Sequence, residues 1–246
     1  GLAIKSGLYP FHYWIPDTYG YATPTASAIL SGLVSKGYIF LLIKIFYRVL
    51  GRENVIASQI VNVLYLFGLA GMIMGSVHAI MEEDTRRMIA YSSVAQIGYI
   101  YMGIGLGTQA GMVAAVFHMF THSATKALLS SAQWDCMRFQ EIKGLPQPAG
   151  RRIPQSAGRN RFCSGGLVHG GIPYAGGIYF QAAFATSALQ SPHKMIPTLI
   201  VLAVSTILNA IYFLRLVITL YSGGEVRRKE RQAPGSSGRL SCASSC

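Results

Sequence analysis

Acidic residues and cofactor-binding motifs are both scarce in this chain. Only 9 of its 246 residues are Asp or Glu, against 21 Lys and Arg, so the net charge is +12. No glycine-rich nucleotide loop, iron–sulfur spacing or flavin motif occurs. We therefore expect no cofactor, no metal and no redox site in this chain. The cysteines have no metal-ligand spacing: Cys136, Cys163, Cys242 and Cys246. They fall on or near the side that the distribution of Lys and Arg predicts to be cytoplasmic, so a disulfide framework is not expected either.

Long apolar runs are what the sequence has instead. It is 51% hydrophobic and only 12% charged, which is typical of membrane proteins. A helix needs about 20 apolar residues to cross ~30 Å of hydrocarbon. The sequence thus predicts an all-α polytopic transmembrane helix bundle over residues 1–222 and a basic, disordered tail over 223–246. The predicted spans are 25–50, 55–80, 88–107, 109–133 and 196–221, with a less apolar one at 162–190.

The positions of Lys and Arg predict the orientation of the bundle. They cluster in the loops 81–87 and 134–161 and in the tail, whereas the opposite side holds only Arg48, Arg52 and Lys194. By the positive-inside rule, the three basic segments are cytoplasmic. They share one side only if residues 162–190 cross the membrane. This topology accounts for the net charge without a nucleic-acid partner, and we expect a multi-pass protein of the inner or plasma membrane.

Ionisable residues inside the predicted spans are the main functional signal. A charge at the bilayer centre costs about 2.5–3.5 kcal/mol, so such residues usually serve ion or proton movement. Imidazole titrates near neutral pH, which suits proton transfer. A zinc site is a less favoured alternative, because Met119 rather than a glutamate follows His118. The residues are Lys36 and Lys44 within 25–50, and His118, His122 and Lys126, which recur at i, i+4 and i+8 within 109–133.

The segment 9–24 interrupts the apolar pattern. It reads YPFHYWIPDTYGYATP, and its prolines at positions 10 and 16 are expected to end the helix that residues 1–9 form. Two interpretations stay open here: an interfacial re-entrant turn with an aromatic belt, or an ordinary loop. The candidate structural or gating residues of this segment are Pro10, His12, Pro16, Asp17 and Pro24.

Three stretches, in order along the chain, carry a family resemblance. They are KSGLYPFHYWIPD with its continuation to Lys36, then DTRRMIAYSS from Asp84, and FHMFTHSATKAL from Phe117. Together they resemble the antiporter-like membrane subunits of respiratory complex I, of Mrp-type Na+/H+ antiporters and of membrane-bound hydrogenases. The resemblance covers residues 1–145, is absent over about 146–170, and returns from about Ala182 to Tyr221.

The resemblance implies an inverted-repeat antiporter-like fold with broken helices and buried charges at the membrane midplane. It implies that Lys5 is the central lysine of the first broken helix and Lys36 its proton-relay partner. The relay on the second broken helix would be His118, His122 and Lys126, with Lys44 linking the two groups. The implied function is proton translocation within a respiratory NADH dehydrogenase or an Mrp-type cation/proton antiporter. Other membrane subunits, lipid and protons are the expected partners, and transport of Na+ stays open.

The chain departs from the family pattern in two places. The glutamate expected upstream of Lys5 is missing because the chain starts too late, and no ionisable residue lies between Gly171 and Gln181. We therefore expect a fragment in which 146–170 and 223–246 reflect a reading-frame or assembly error. The alternative function is a non-conducting structural subunit or a truncated remnant. Membership of complex I, an Mrp antiporter or a hydrogenase stays open.

Overall fold

The chain folds into helices, with no strand among residues 1–143 and 177–221, which are those described by the structure, a computed structural model. This confirms the predicted all-α membrane bundle. In chain order the elements are α1 (Leu2–Ser6), α2 (Trp14–Tyr21), α3 (Pro24–Ile29), a first π-helical segment (Leu30–Val34), α4 (Ser35–Lys44), a second π-helical segment (Ile45–Leu50), α5 (Arg52–Ala57), α6 (Ile60–Met81), α7 (Thr85–Gly105), α8 (Gln109–Lys143), α9 (Gly177–Leu189) and α10 (Pro192–Tyr221).

Three helical stretches of the described residues are long and apolar enough to cross a membrane. They are Thr25–Leu50, Ile60–Met81 and Pro192–Arg215. They correspond to the predicted spans 25–50, 55–80 and 196–221. The second starts late because Gln59, with a φ of 59°, separates α5 from α6. Of the predicted span 162–190, residues 177–189 are helical, while 162–176, the stretch 146–170 and the tail 223–246 lie outside the described residues.

Helix α7 forms the centre of the bundle and packs against α2, α6 and α8. Its residues from Met88 to Gly105 are almost all buried, so the predicted span 88–107 lies in the interior of the bundle. Glycines let the α6 and α7 backbones approach closely. A Cβ atom added at Gly98 would lie 2.6 Å from the backbone nitrogen of Met72, so no larger residue fits there without movement.

The predicted position of the helix break is wrong, and one of the two interpretations of the segment 9–24 fails. The break after α1 comes at Gly7, whose φ of 82° suits a helix C-cap, rather than at Pro10 or Pro16. The ordinary-loop interpretation fails over residues 14–21, which form α2. Pro16 is accommodated because it lies in the first turn, where a backbone N–H has no intrahelical partner.

Helix α8 is also longer and more regular than predicted. It runs without a break from Gln109 to Lys143, so the implied second broken helix is not found here, and the loop expected at 134–161 is helical at its start. The local reason is that no glycine or proline follows Gly111 in this helix. His118, His122 and Lys126 therefore lie on one continuous helix.

Candidate functional site

Lys36 is buried near the start of α4, just after the first π-helical segment. Its side chain is 6% exposed, and its Nζ donates a hydrogen bond to the Ser31 carbonyl. π-helical turns inside α-helices frequently occur at functional sites. Here the π-helical segment ends immediately before α4. The Lys36 ammonium donates to a backbone carbonyl of that segment, not to an acidic side chain.

The ionisable stripe of α8 is buried as well. His118 and His122 are each 2% exposed and Lys126 is 1% exposed. The two imidazole rings are almost parallel, with an interplanar angle of 11° and centroids 6.1 Å apart. Neither ring nitrogen of His118 has a hydrogen-bond partner among the described residues. The two rings lie one above the other along the helix because an i, i+4 spacing places both side chains on the same face.

Lys126 is held by neutral oxygen atoms of α7. Its Nζ donates to the Ile89 carbonyl at 2.6 Å and to Ser92 Oγ at 2.8 Å. Among the described residues, no carboxylate forms an ion pair with Lys36 or Lys126. A buried ammonium without a counter-ion is costly.

Helix α8 brings the stripe next to Lys36. Ser123 Oγ donates to the Gly32 carbonyl at 2.5 Å, which joins α8 to the first π-helical segment. Lys36 consequently lies within electrostatic range of both His118 and Lys126. We call Lys36, His118, His122 and Lys126 the buried row.

The other two predicted lysines lie outside the buried row. The side chains of Lys5 and Lys44 are exposed at the surface of the part of the chain that the structure describes. Each places its Nζ over an aromatic ring of α4: Lys5 lies 5.3 Å from the Tyr38 centroid and Lys44 lies 5.2 Å from the Phe40 centroid. These are cation–π contacts at surface positions.

The predicted gating residues are distributed around α2. Pro10 follows a cis peptide bond, Pro16 is buried in α2, and Pro24 opens α3. His12 is 1% exposed. Exposed Asp17 forms an ion pair with Arg87 at 3.5 Å, and Arg87 also pairs with Glu82 at 3.5 Å. The Glu82 carboxylate raises the pKa of the Arg87 guanidinium, and Asp17 adds to this effect.

A buried polar network between α6, α7 and α10 was not predicted from the sequence. Tyr99 donates its hydroxyl to Ser205 Oγ at 3.0 Å, and Asn209 Nδ2 donates to the Tyr99 oxygen at 3.3 Å. Ser76 Oγ donates to Asn209 Oδ1 at 2.9 Å. The Tyr99 ring also packs on His118, with centroids 5.6 Å apart. The sequence feature that indicates this network is Asn209, the amide side chain within an apolar span, since polar groups in membrane helices usually hydrogen-bond to neighbouring helices.

The fold and the buried row define a class: polytopic membrane proteins with ionisable side chains enclosed between their helices. Residues 1–145 match the sequence family described as NADH:quinone oxidoreductase/Mrp antiporter, transmembrane. Because this match covers more than half of the chain, the chain belongs to that family.

Two curated relatives carry the name NADH-quinone oxidoreductase subunit N. The protein of Desulforudis audaxviator is 30% identical over 243 residues, covering 95% of this chain and 47% of the relative. That of Halorhodospira halophila is 28% identical over 250 residues, covering 98% and 49%, respectively. The chain therefore spans about half the length of these relatives. Relatives in this family are subunits of multisubunit membrane complexes.

Two solved structures share the fold. A chain of the Mrp complex from Dietzia sp. superposes with a TM-score of 0.76 at 25% identity, covering 88% of this chain and 40% of that one. A chain of respiratory complex I from Thermus thermophilus gives a TM-score of 0.63 at 20% identity, covering 89% and 47%. At that identity the second likeness is one of fold. Both agree with the antiporter-like bundle predicted from the sequence.

Proposed function

We propose that this chain is part of a proton-translocating, antiporter-like membrane subunit that moves protons along the buried row. The observation that carries the proposal is the enclosure of two lysines and two histidines, each between 1% and 6% exposed, at the contact between α8 and the helical segment that carries Lys36. Membrane interiors penalise such groups strongly, so they are kept where they move ions or protons.

The geometry suggests how a proton would move along the row. The imidazole centroids of His118 and His122 are 6.1 Å apart, too far for a direct hydrogen bond between parallel rings. Transfer between them therefore needs a water molecule between the rings or rotation of a ring. Lys36 would exchange protons at the α4 end, and Lys126 would do so beside Ile89 and Ser92.

Lys5 and Lys44 would extend this path in the complete subunit. Lys5 lies on α1, directly before the break at Gly7, where the family resemblance expects the central lysine. Lys44 lies at the end of α4, on the same helical segment as Lys36. The segment with Pro10, His12, Pro16, Asp17 and Pro24 would act as the gate, since it joins α1 to α2 and contacts Arg87 through Asp17.

The names of the curated relatives support a respiratory NADH dehydrogenase as the parent complex, with an Mrp-type antiporter as the second possibility. Redox chemistry would then reside in other subunits. We propose an inner or plasma membrane location, with the loops 81–87 and 134–161 and the tail in the cytoplasm, on the distribution of Lys and Arg. The partners would be other membrane subunits and lipid, and the transported ions protons, with Na+ in the Mrp case.

Replacement of Lys36 tests the function. In the full-length protein, assembled in its complex and reconstituted in proteoliposomes, Lys36→Met should lower proton uptake about 100-fold or more, because positioned proton-transfer groups contribute roughly 10²–10⁴ in rate. Lys36→Arg should be nearly as defective, since a guanidinium does not release its proton. Arg48→Met, at an exposed position on the same helical segment, is the matched control. Normal proton uptake by an assembled Lys36→Met complex would instead favour the non-conducting structural subunit.

A further inference from the structure

A second group of titratable side chains lies outside the buried row, at the end of α6 that leads into the loop before α7. His12 comes from the linker between α1 and α2, and His78 from the last turns of α6. Their ring centroids are 6.0 Å apart. Because the residues are 66 positions apart in the sequence, only the fold brings them together.

The hydrogen bonding of His78 fixes which of its nitrogens can take up a proton. Its Nδ1 lies 2.8 Å from the Met74 carbonyl oxygen. A carbonyl only accepts hydrogen bonds, so Nδ1 carries a hydrogen and Nε2 is the basic atom of the neutral ring. His12 is 1% exposed, and its Nδ1 has no hydrogen-bond partner among the described residues. Leaving a buried nitrogen without a hydrogen-bond partner is costly.

Aromatic rings surround both imidazoles. His12 stacks with Tyr9 at 5.3 Å and with Tyr13 at 4.9 Å, and His78 stacks with Tyr91 of α7 at 5.3 Å. Aromatic faces stabilise a nearby cation.

Several charged side chains lie at this end. Arg87 pairs with both Asp17 and Glu82. Glu83, Asp84 and Arg86 belong to the same segment, residues 81–87, and Arg215 donates to the Ile80 carbonyl. Neither histidine forms an ion pair in the described part of the chain.

Two imidazoles at this distance in a largely enclosed setting do not both become charged easily, because like charges repel and burial penalises each charge. One proton shared by the two rings is therefore favoured over one proton on each ring. A stack of aromatic rings with one shared proton is well suited to holding that proton transiently.

The pair lies at the same level as one end of the buried row. Tyr91 stacks on His78, while Lys126 binds Ile89 and Ser92 of the same helix. At 100° per residue, Tyr91 points to a different face of α7 from the other two. We propose that His12 and His78 form a second proton-binding site, which exchanges protons with the buried row from the loop end of the bundle. This role rests on the proposed function, whereas the shared proton does not.

Phenylalanine variants test the transport role, since they keep an aromatic ring and remove the titration. His12→Phe and His78→Phe should each lower proton uptake by the reconstituted complex about tenfold near neutral pH and flatten its pH dependence. His193→Phe, at an exposed position at the start of α10, should match the wild-type protein. If both variants assemble and keep the wild-type rate and pH profile, the transport role is overturned. His78→Gln replaces His78→Phe if the latter does not assemble.

A titration separates failure of this inference from failure of the proposed function. Solid-state NMR of 15N-histidine in the reconstituted complex, with single variants for assignment, reports each ring directly. In His78→Phe the midpoint of His12 protonation should rise by about one pH unit, because the neighbouring positive charge is gone. An unchanged midpoint would refute the shared site, even if the complex pumps protons. A wild-type complex that does not transport protons would refute the proposed function, and the titration would still decide the pair.

Discussion

Lys36 and Lys44 lie eight residues apart on one continuous helical segment, yet their surroundings differ completely. Lys36 is enclosed and bonded to a backbone carbonyl, while Lys44 is exposed over the Phe40 ring. The apolar run that holds them, Thr25–Leu50, does not distinguish the two lysines. Helix α8 does, because it packs on α3 and on the first π-helical segment, which directly precedes the turn that carries Lys36. Burial by a neighbouring helix, rather than a place in an apolar run, selects the lysine that joins the row.

The largest difference in proton uptake is expected between a variant of an enclosed lysine and a variant of an exposed lysine. Lys126→Met takes the other enclosed lysine out of the row and should lower proton uptake about 100-fold or more. Lys44→Met should lower it less than about tenfold, because water at an exposed position can take over proton transfer. The measurement is the initial rate of acidification or alkalinisation in proteoliposomes that contain equal amounts of assembled complex. If both variants lower proton uptake equally, burial of the lysine does not determine its importance for proton transfer, and the prediction is wrong.

The sequence predicted the row better than the break that precedes it. The i, i+4, i+8 spacing placed His118, His122 and Lys126 on one face of α8, since helical periodicity is a local property. The enclosure of Lys36 and the exposure of Lys5 depend on which helices pack nearby, and one sequence does not contain that information directly. The prolines of the segment 9–24 predict the wrong position for the break, because proline is the stronger helix breaker in general, whereas Gly7 adopts a conformation that proline cannot. The pairing of His12 with His78 required the complete fold.

Enclosed and exposed positions should also differ in how a glycine replacement changes the stability of the protein. A Cβ at Gly98 would lie 2.6 Å from the Met72 nitrogen and 2.8 Å from the Gly68 oxygen, whereas a Cβ at Gly37 would meet nothing within 4 Å. Gly98→Ala should therefore destabilise the protein by about 1–3 kcal/mol through overpacking. Gly37→Ala should stabilise it by about 0.5–1 kcal/mol, because alanine favours helix. The midpoint of thermal unfolding in detergent measures both effects. A midpoint of Gly98→Ala at or above that of the wild-type protein would contradict the close α6–α7 packing, and a lowered midpoint of Gly37→Ala would contradict the open space at Gly37.

The smallest effect is expected at the exposed ion pairs near the gate. Asp17 is 65% exposed and its distance to Arg87 is 3.5 Å, so Asp17→Asn removes an interaction that water and salt already weaken. Glu82 is 20% exposed, and its carboxylate has the larger effect on Arg87, so Glu82→Gln should lower the thermal midpoint more than Asp17→Asn does. Raising the salt concentration should reduce both differences, and that of Asp17→Asn more completely. If Asp17→Asn instead strongly slows proton uptake while the midpoint stays unchanged, the exposed pair acts as part of the gate, and exposure alone is a poor guide to function at this end of the bundle.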